Sequence, residues 1–383
     1  MAGGTVSLNC WKYAHSDQLE GRVNPVTAPK RARPVTRTDV ARRAGVSSAV
    51  VSYVVNSGPR NVAPETRERV LQAIEELGYR PNATARALKR GVSETIGLII
   101  SDITNPFFSE YAHAIEEAAA ERGLSVIFTN SALAGRGGVD IMGTGVDVMG
   151  TEADLIYRMI LRGVDGLLLA SILDAPDLDV ARAAGIPVVL LDRAVPFPGH
   201  ASVGSDFREA SRIAVEHLIW HGHERIGMIT GFTGGSTTDD REQGWRDALQ
   251  EAGLDPGPVI RVPYSRPGGF DAGVQLLESG DRPTAIFALS DQQSIGLIYA
   301  IHQAGLQVPG DIAVASFDGS GESAFSWPPL TTMRQPVREM AHAAVDLLGK
   351  NDPANHRHFT FQAPLVVRQS CGCAPTTEHV SVG

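Results

Sequence analysis

Ser171, Asp192-Arg193, Arg241 and Ser290-Asp291 are the polar residues best placed in this sequence to do chemistry. VDGLLLA runs directly into Ser171, IPVVLL into Asp192, and PTAIFAL into Ser290, while Arg241 sits in DDREQGW just after a glycine-rich loop. Carboxylates and guanidiniums in such places make paired hydrogen bonds to neighbouring hydroxyls, which suits binding of a small polyhydroxylated molecule. Phe107, in SDITNPFF, and Trp245 add flat apolar faces of the kind that cover a sugar ring. Nothing comparable points to catalysis. No GxGxxG follows a strand-like run, and neither GxxxxGK[ST] nor GxSxG occurs, so no catalytic residue is assigned and an enzyme is not expected. In HLIWHGHERIG, His217, His221 and His223 have no cysteine near them in sequence. Cys371 and Cys373, with His379 beyond, form a CGC pair read as inert, so no metal and no cofactor is expected.

Polar groups so far apart in sequence need a scaffold that gathers strand ends. ETIGLIIS, LSVIFTN, VDGLLLAS, IPVVLLD, RIGMITG, PTAIFALS and DIAVASFD alternate with helical stretches, which predicts parallel sheets covered on both faces. Ligands of such sheets lie outside the carboxyl ends of the strands, where the residues above fall. The 383 residues, 43% hydrophobic and 20% charged, suffice for two or three folded units. Three cysteines are too few for a disulfide framework and fit a reducing compartment. With no apolar run of about 18 residues and no secretory segment, a cytoplasmic, nucleoid-associated location without membrane contact is expected. Residues 135–152 carry a near-duplication, VDIMGTG followed by VDVMGTE, read as an insertion tolerated on a surface loop, with a flap over the cleft as the alternative.

The formal net charge of -9 conceals a basic head, because Lys30 to Ser93 holds 13 Lys and Arg against 5 Asp and Glu. Val40, Ala41 and Ala44 recur at helical spacing, Gly45 breaks the run, and Val51, Val54 and Val55 resume it after Ser47, whose hydroxyl suits an N-cap. Ser48, Ala49, Ser52 and Tyr53 are left on the face away from the core. A third helix starts at Pro64, turns Val70, Ile74 and Leu77 inward and stops at Gly78. This predicts a helix-turn-helix headpiece. In YRPNATARALKRG a brief helix opening at Pro81 and Asn82 displays Leu88 among Arg86, Lys89 and Arg90, which suits a wedge in a DNA minor groove with cations on phosphates.

The run VTRTDVARRAGVSSAVVSYVVN, followed by VAPETRERVLQAIEELGYRPNATARALKRG, resembles the headpiece and hinge helix of the LacI/GalR family of bacterial transcription regulators. The resemblance implies base reading by Ser48, Ala49 and Tyr53, phosphate contacts from Thr36 and Ser52, and hinge contacts from Asn82, Ala85 and the wedge Leu88. It departs from the family at Tyr53, where a longer polar or basic residue is usual, and at Asp318-Gly319, which replaces paired acids. For the body it implies a two-lobed α/β domain like periplasmic binding proteins, with three crossovers, placed near Leu191 to Arg193, Asp318 to Ser320 and Met333 to Pro336. Effector contacts are then expected at Phe107, Arg193, Trp245 and Asp291, with Arg241 and the strand-end Ser171 as further candidates.

The expected organisation is a flexible basic extension at 1–33, the all-α helix-turn-helix headpiece at 34–80, a hinge helix and linker at 81–93, the two-lobed effector and dimerisation domain at 94–370, and a tail at 371–383. The expected function is a sequence-specific repressor whose operator affinity is set by a small polar ligand, a saccharide or its derivative. One headpiece buries too little to hold a site firmly, so a homodimer on a near-palindromic double-stranded operator is expected. Effector and operator affinities would be reciprocally coupled through lobe closure. The rival is a solute-binding protein sharing the two-lobed fold, with the basic head as a generic interaction arm. Leu88→Ala is predicted to weaken operator binding in a gel-shift titration while leaving effector affinity intact; unchanged operator affinity removes the wedge from this account.

Overall fold

The computed structural model describes residues 33, 35–55, 61–80, 91–131, 152–171, 175–231, 239–280, 282–349 and 357–374. The chain divides into two compact units, Met1–Asn82 and Ala83–Gly383. In the first, helices α1 (Arg37–Ala44), α2 (Ser48–Val55) and α3 (Pro64–Leu77) enclose Val40, Ala41, Ala44, Val51, Val54, Val70 and Ala73. Their ends follow from single residues. Gly45 and Gly78 take left-handed conformations, φ 67° and 61°, that stop α1 and α3. Ser47 Oγ accepts from Val50 N at 3.4 Å to start α2, and Pro64 opens α3. Residues 1–32, the hinge residues Asn82, Ala85 and Leu88, the duplication up to Thr151, and His379 lie outside the described residues.

The second unit holds two six-stranded sheets. The first lobe contains β1 (Thr95–Ile100), β2 (Ser125–Asn130), β3 (Gly166–Leu169), β4 (Val188–Leu190), β5 (Ala201–Ser205) and β11 (His358–Phe361), in the order β11-β5-β4-β3-β1-β2, all parallel. The second contains β6 (Ile226–Thr230), β7 (Val259–Arg261), β8 (Ala285–Ala288), β9 (Ala313–Asp318), β10 (Thr331–Arg334) and β12 (Leu365–Val366), ordered β12-β10-β9-β8-β6-β7. Only the β10–β12 pair is antiparallel.

Strands β1, β3, β4, β6, β8 and β9 are buried on both sides because both sides are covered, whereas β2, β7 and β11 are partly exposed. Along β9, Ala313, Ala315 and Phe317 face a core shared with α7 (Phe207–Trp220) and α8 (Asp240–Glu251), while Val314 faces α9 (Arg266–Glu278) and α10 (Asp291–Gln303). In the first lobe Ile96, Leu98 and Ile100 pack toward α4 (Pro106–Glu121) and α11 (Val337–Gly349); Ile99 packs toward α5 (Glu152–Leu161) and α6 (Asp179–Ala183). Among the described residues no helix is long and apolar enough to cross a membrane.

The chain passes between lobes after β5 at Asp206, after β10 at Gln335-Pro336, and between β11 and β12 at residues 362–364. Only the expectation near Met333 to Pro336 holds. At Leu191 to Arg193 the chain stays in the first sheet, where Arg193 N donates to Val203 O at 3.1 Å; Asp318 to Ser320 joins β9 to its neighbour β10. A strand end rich in polar residues looks the same whether the chain next crosses or turns back. The tail assigned to 371–383 begins too early as well, since Cys371 is buried in the second-lobe core.

Helices α9 and α10 meet backbone to backbone. A Cβ on Gly269 would lie 2.0 Å from Gln293 O, and one on Gly296 2.0 Å from Arg266 O. Gly269→Ala is expected to destabilise the domain by about 1–3 kcal/mol in denaturant unfolding. Gly280→Ala, where a Cβ meets nothing within 4 Å, is expected to stay within about 0.5 kcal/mol of wild type.

Candidate effector cleft and DNA-reading helix

On α2, Val51 and Val54 are buried, which turns Ser48 and Ala49 fully outward and leaves Ser52 and Tyr53 half-exposed beside them. These positions, one turn apart, make one continuous face. Thr36 serves α1 first: its N and Oγ1 both donate to Asp39 Oδ2, at 2.9 and 2.6 Å, and these bonds hold the Asp39 carboxyl below its usual range. A phosphate at Thr36 would have to draw the hydroxyl proton away from Asp39.

In the body the charged groups gather where strands end. Arg241, at the start of α8, binds Asp239 through two bonds, Nε to Oδ1 at 3.0 Å and Nη2 to Oδ2 at 2.7 Å. It also donates to Leu289 O and Tyr264 Oη, both at 3.1 Å. Its guanidinium carbon lies 5.2 Å from the Phe207 ring centre, 5.4 Å from Tyr264 and 5.6 Å from Phe317. Burial alone would raise the Asp239 carboxyl, but the charge and hydrogen bonds of Arg241 carry it below the ordinary range. This fork is one rigid cation.

Across the hinge, Asp192 follows β4 in a left-handed conformation, φ 55°, and among the described residues its buried Oδ1 has no partner. Burial raises its carboxyl against the pull of Arg241. Asp318 ends β9 at φ 106°, unusual for a residue with a side chain, and among the described residues its carboxylate accepts only from Asp291 N, at 3.4 Å. Burial and the neighbouring Asp291 raise it well above the usual carboxylate range. Ser171 Oγ donates to Glu152 Oε1 at 3.0 Å, at the last residue of the duplication and the one described. Arg193 is half-buried, with its guanidinium carbon 5.6 Å from the Phe197 ring centre.

Several expected contacts sit elsewhere. Trp245 is 0% exposed, packed into the second-lobe core with Leu249 and Phe287, because its place on α8 faces the sheet. Phe107 is 3% exposed in the first-lobe core, while Phe108, 5.0 Å from it centre to centre, is the half-exposed ring. Asp291 is spent within the protein: Oδ2 accepts from Ser320 N and Oγ, both at 2.7 Å, and Oδ1 from Thr332 Oγ1 at 2.8 Å. Burial nonetheless pushes its carboxyl up to about 6. Ser290, not Asp291, caps α10, accepting from Gln293 N at 3.2 Å.

The groups with unspent capacity are Asp192 and Asp318, beside the cation of Arg241. Asp318 was legible by the same strand-end rule that selected Asp291, since it closes DIAVASFD. Gln335, whose Oε1 accepts from Ser205 Oγ at 3.0 Å, carried no sequence signal, because its place depends on a crossover.

Two further hydrogen bonds join the lobes. Gln292 Nε2 donates to Thr104 O at 3.1 Å, and Gly321 N to Glu110 Oε1 at 2.8 Å.

A helix-turn-helix unit and a two-lobed α/β unit in one chain, the latter with charged strand ends facing across its hinge, define a ligand-responsive DNA-binding regulator as a class. Residues 36–82 match the model for bacterial regulatory proteins of the lacI family, and 215–371 match a periplasmic binding protein-like domain. The ribose operon repressor of Escherichia coli is 37% identical over 82% of this chain and 92% of its own length. The HTH-type transcriptional repressor PurR of Photobacterium profundum is 34% identical over 88% and 98%. A crystal structure of the Lac repressor dimer bound to operator and the anti-inducer ONPF is 29% identical, with a TM-score of 0.75, covering 88% of this chain and 99% of that one. The chain belongs to the lacI family of bacterial regulatory proteins.

Asp291 and Asp318 both titrate higher in the folded protein than in an unfolded chain, so their contribution to stability is full below the unfolded value near 4 and is lost as pH rises through about 6 and beyond. Through these two carboxyls the melting temperature of the ligand-free protein is expected to fall as pH rises from about 5 to 8, a component read as the difference between wild type and a variant lacking one of them. Asp318→Asn, which removes one of the facing charges, is expected to raise the melting temperature at alkaline pH and flatten this dependence. A profile unchanged by the substitution would place the proton elsewhere.

Proposed function

We propose that the chain represses transcription in the cytoplasm by binding a near-palindromic operator as a homodimer, and that a sugar bound between the lobes of each body sets its operator affinity. It acts by binding, without turnover. The observation that carries the ligand class is the pair of under-used carboxylates, Asp192 and Asp318, from opposite lobes beside the Arg241 guanidinium. Vicinal hydroxyls supply donors to the first two and acceptors to the third, and each lobe then gains contacts only when both close on one molecule. The names of the ribose operon repressor and of the Lac repressor operator complex point the same way.

Ser48, Ala49, Ser52 and Tyr53 present short side chains and one phenol to the major groove. Tyr53 donates one hydrogen bond or packs on a thymine methyl, and it does not make the two-pronged contact of arginine with guanine. Thr36, Asn82, Ala85 and Leu88 complete the DNA-binding set, and Ser171, Arg193 and Phe108 the ligand set.

The test is binding of the purified protein to fragments of its own genomic neighbourhood, with a salt titration and a sugar panel that includes ribose. Tight binding to one palindromic fragment, altered by one sugar, is expected. Weak binding to every fragment, erased by salt, would make the head a generic basic arm. A specific fragment unaffected by any sugar would overturn the ligand class alone.

A further inference from the structure

Four side chains that look unrelated in sequence converge on one point of the second lobe. His217 and His221 lie one turn apart at the end of α7, and Cys371 and Cys373 flank Gly372 after β12. His217 Nε2 is 3.2 Å from Cys371 Sγ and 3.7 Å from Cys373 Sγ; His221 Nε2 is 3.2 Å from Cys373 Sγ. All four ligand atoms fall within 4.8 Å of one another. In the sequence His217 and Cys371 stand 154 residues apart, a separation that the return of the chain to α7 closes.

We infer that this cluster is a structural zinc site, a tetrahedral pair of imidazole nitrogens and pair of thiolates that clamps the segment around Cys371 to α7. Tetrahedral zinc with ordinary bond lengths sets nitrogen and sulfur about 3.5 Å apart, and the three nitrogen–sulfur distances bracket that value. Two thiolates balance the charge of the ion, so the closed site stays neutral where Cys371 is 1% exposed. The backbone is shaped for it: Gly372 adopts φ 103°, which turns both flanking cysteines to one side, and a Cβ there would approach the His221 ring at 3.5 Å.

A second layer supports the first. Thr331 Oγ1 accepts from Arg368 N at 2.8 Å, which directs its own proton to Cys371 Sγ, 3.1 Å away. A hydroxyl donor aimed at a buried sulfur steadies a thiolate. Two thiolates and two neutral imidazoles as ligands, with no open position in a four-ligand set, select zinc over magnesium or calcium and describe a fastening rather than a reactive centre.

The experiment uses the untagged full chain, grown with zinc and freed of loose metal by gel filtration. Elemental analysis is expected to find about one zinc per chain. After zinc is removed under reducing conditions, cobalt is expected to give the intense visible bands of tetrahedral coordination together with a thiolate charge-transfer band. Cys373→Ser, at the more exposed sulfur, is expected to weaken metal binding at least about a hundredfold and to abolish the rise in melting temperature that zinc gives the wild type. Thr331→Val is expected to weaken it about tenfold while retaining the spectrum. A reduced chain that takes up neither zinc nor cobalt overturns the proposal. So does a chain isolated with Cys371 and Cys373 joined as a disulfide that stays intact in reductant, or a Cys373→Ser variant with unchanged cobalt bands.

Discussion

Three chain crossings lie side by side and are sewn together by hydrogen bonds, and the geometry of the body rests on that seam. Asp206 N donates to Phe361 O at 3.0 Å, Arg334 N to Pro364 O at 2.9 Å, and Ser205 Oγ to Gln335 Oε1 at 3.0 Å. Each bond joins two different crossings. A single linker would let the lobes swivel freely, whereas three parallel ones tied at one level leave a bending motion as the soft mode. Strand ends from both sheets then face each other across a fixed axis, which is why Asp192 and Asp318 can serve one molecule.

The charges near that axis divide into those used by the fold and those held back. Asp239 and three aromatic rings hold Arg241 in place, and Asp291 ties the β9–β10 connection to α10 through Ser320 and Thr332. Removing one member of a buried ion pair such as Arg241–Asp239 costs about 3–5 kcal/mol, so that pair is held for structural reasons alone. Asp318 differs, being buried, backbone-strained and nearly without donors. Strain of that kind persists only where the surroundings impose it.

The headpiece was legible almost residue by residue, because its helices are defined by local signals: Gly45, Ser47, Pro64, Gly78 and valines at helical spacing. Of the twelve described strands, β1 to β4, β6, β8 and β9 were legible as apolar runs, whereas β5, β7, β10, β11 and β12, short or polar as in ASVGS and TTMR, were not. What escaped were relations between distant segments. The crossings at Asp206 and 362–364 depend on which sheet a strand joins, and nothing in GSD or QAP records it. Phe107 and Phe108 are adjacent on one helix, so the choice between core and cleft turns on a rotation of about 100°. Trp245 illustrates the opposite error, a large aromatic near charged residues whose helix turns it wholly inward. Pairing His217 with Cys371 needed the whole second lobe to be in place.

The contacts of Thr104 with Gln292 and of Glu110 with Gly321 are further bonds that join the two lobes. Each is worth on the order of 1 kcal/mol net, and the second somewhat more for its carboxylate. That is a light latch, close to thermal energy in scale. The sugar proposed to bind here would be retained chiefly by its own bonds to both lobes, so its dwell time would follow the number of hydroxyls it presents. Under that proposal the body would discriminate among guests by the clock, with escape rather than entry as the step that tells them apart.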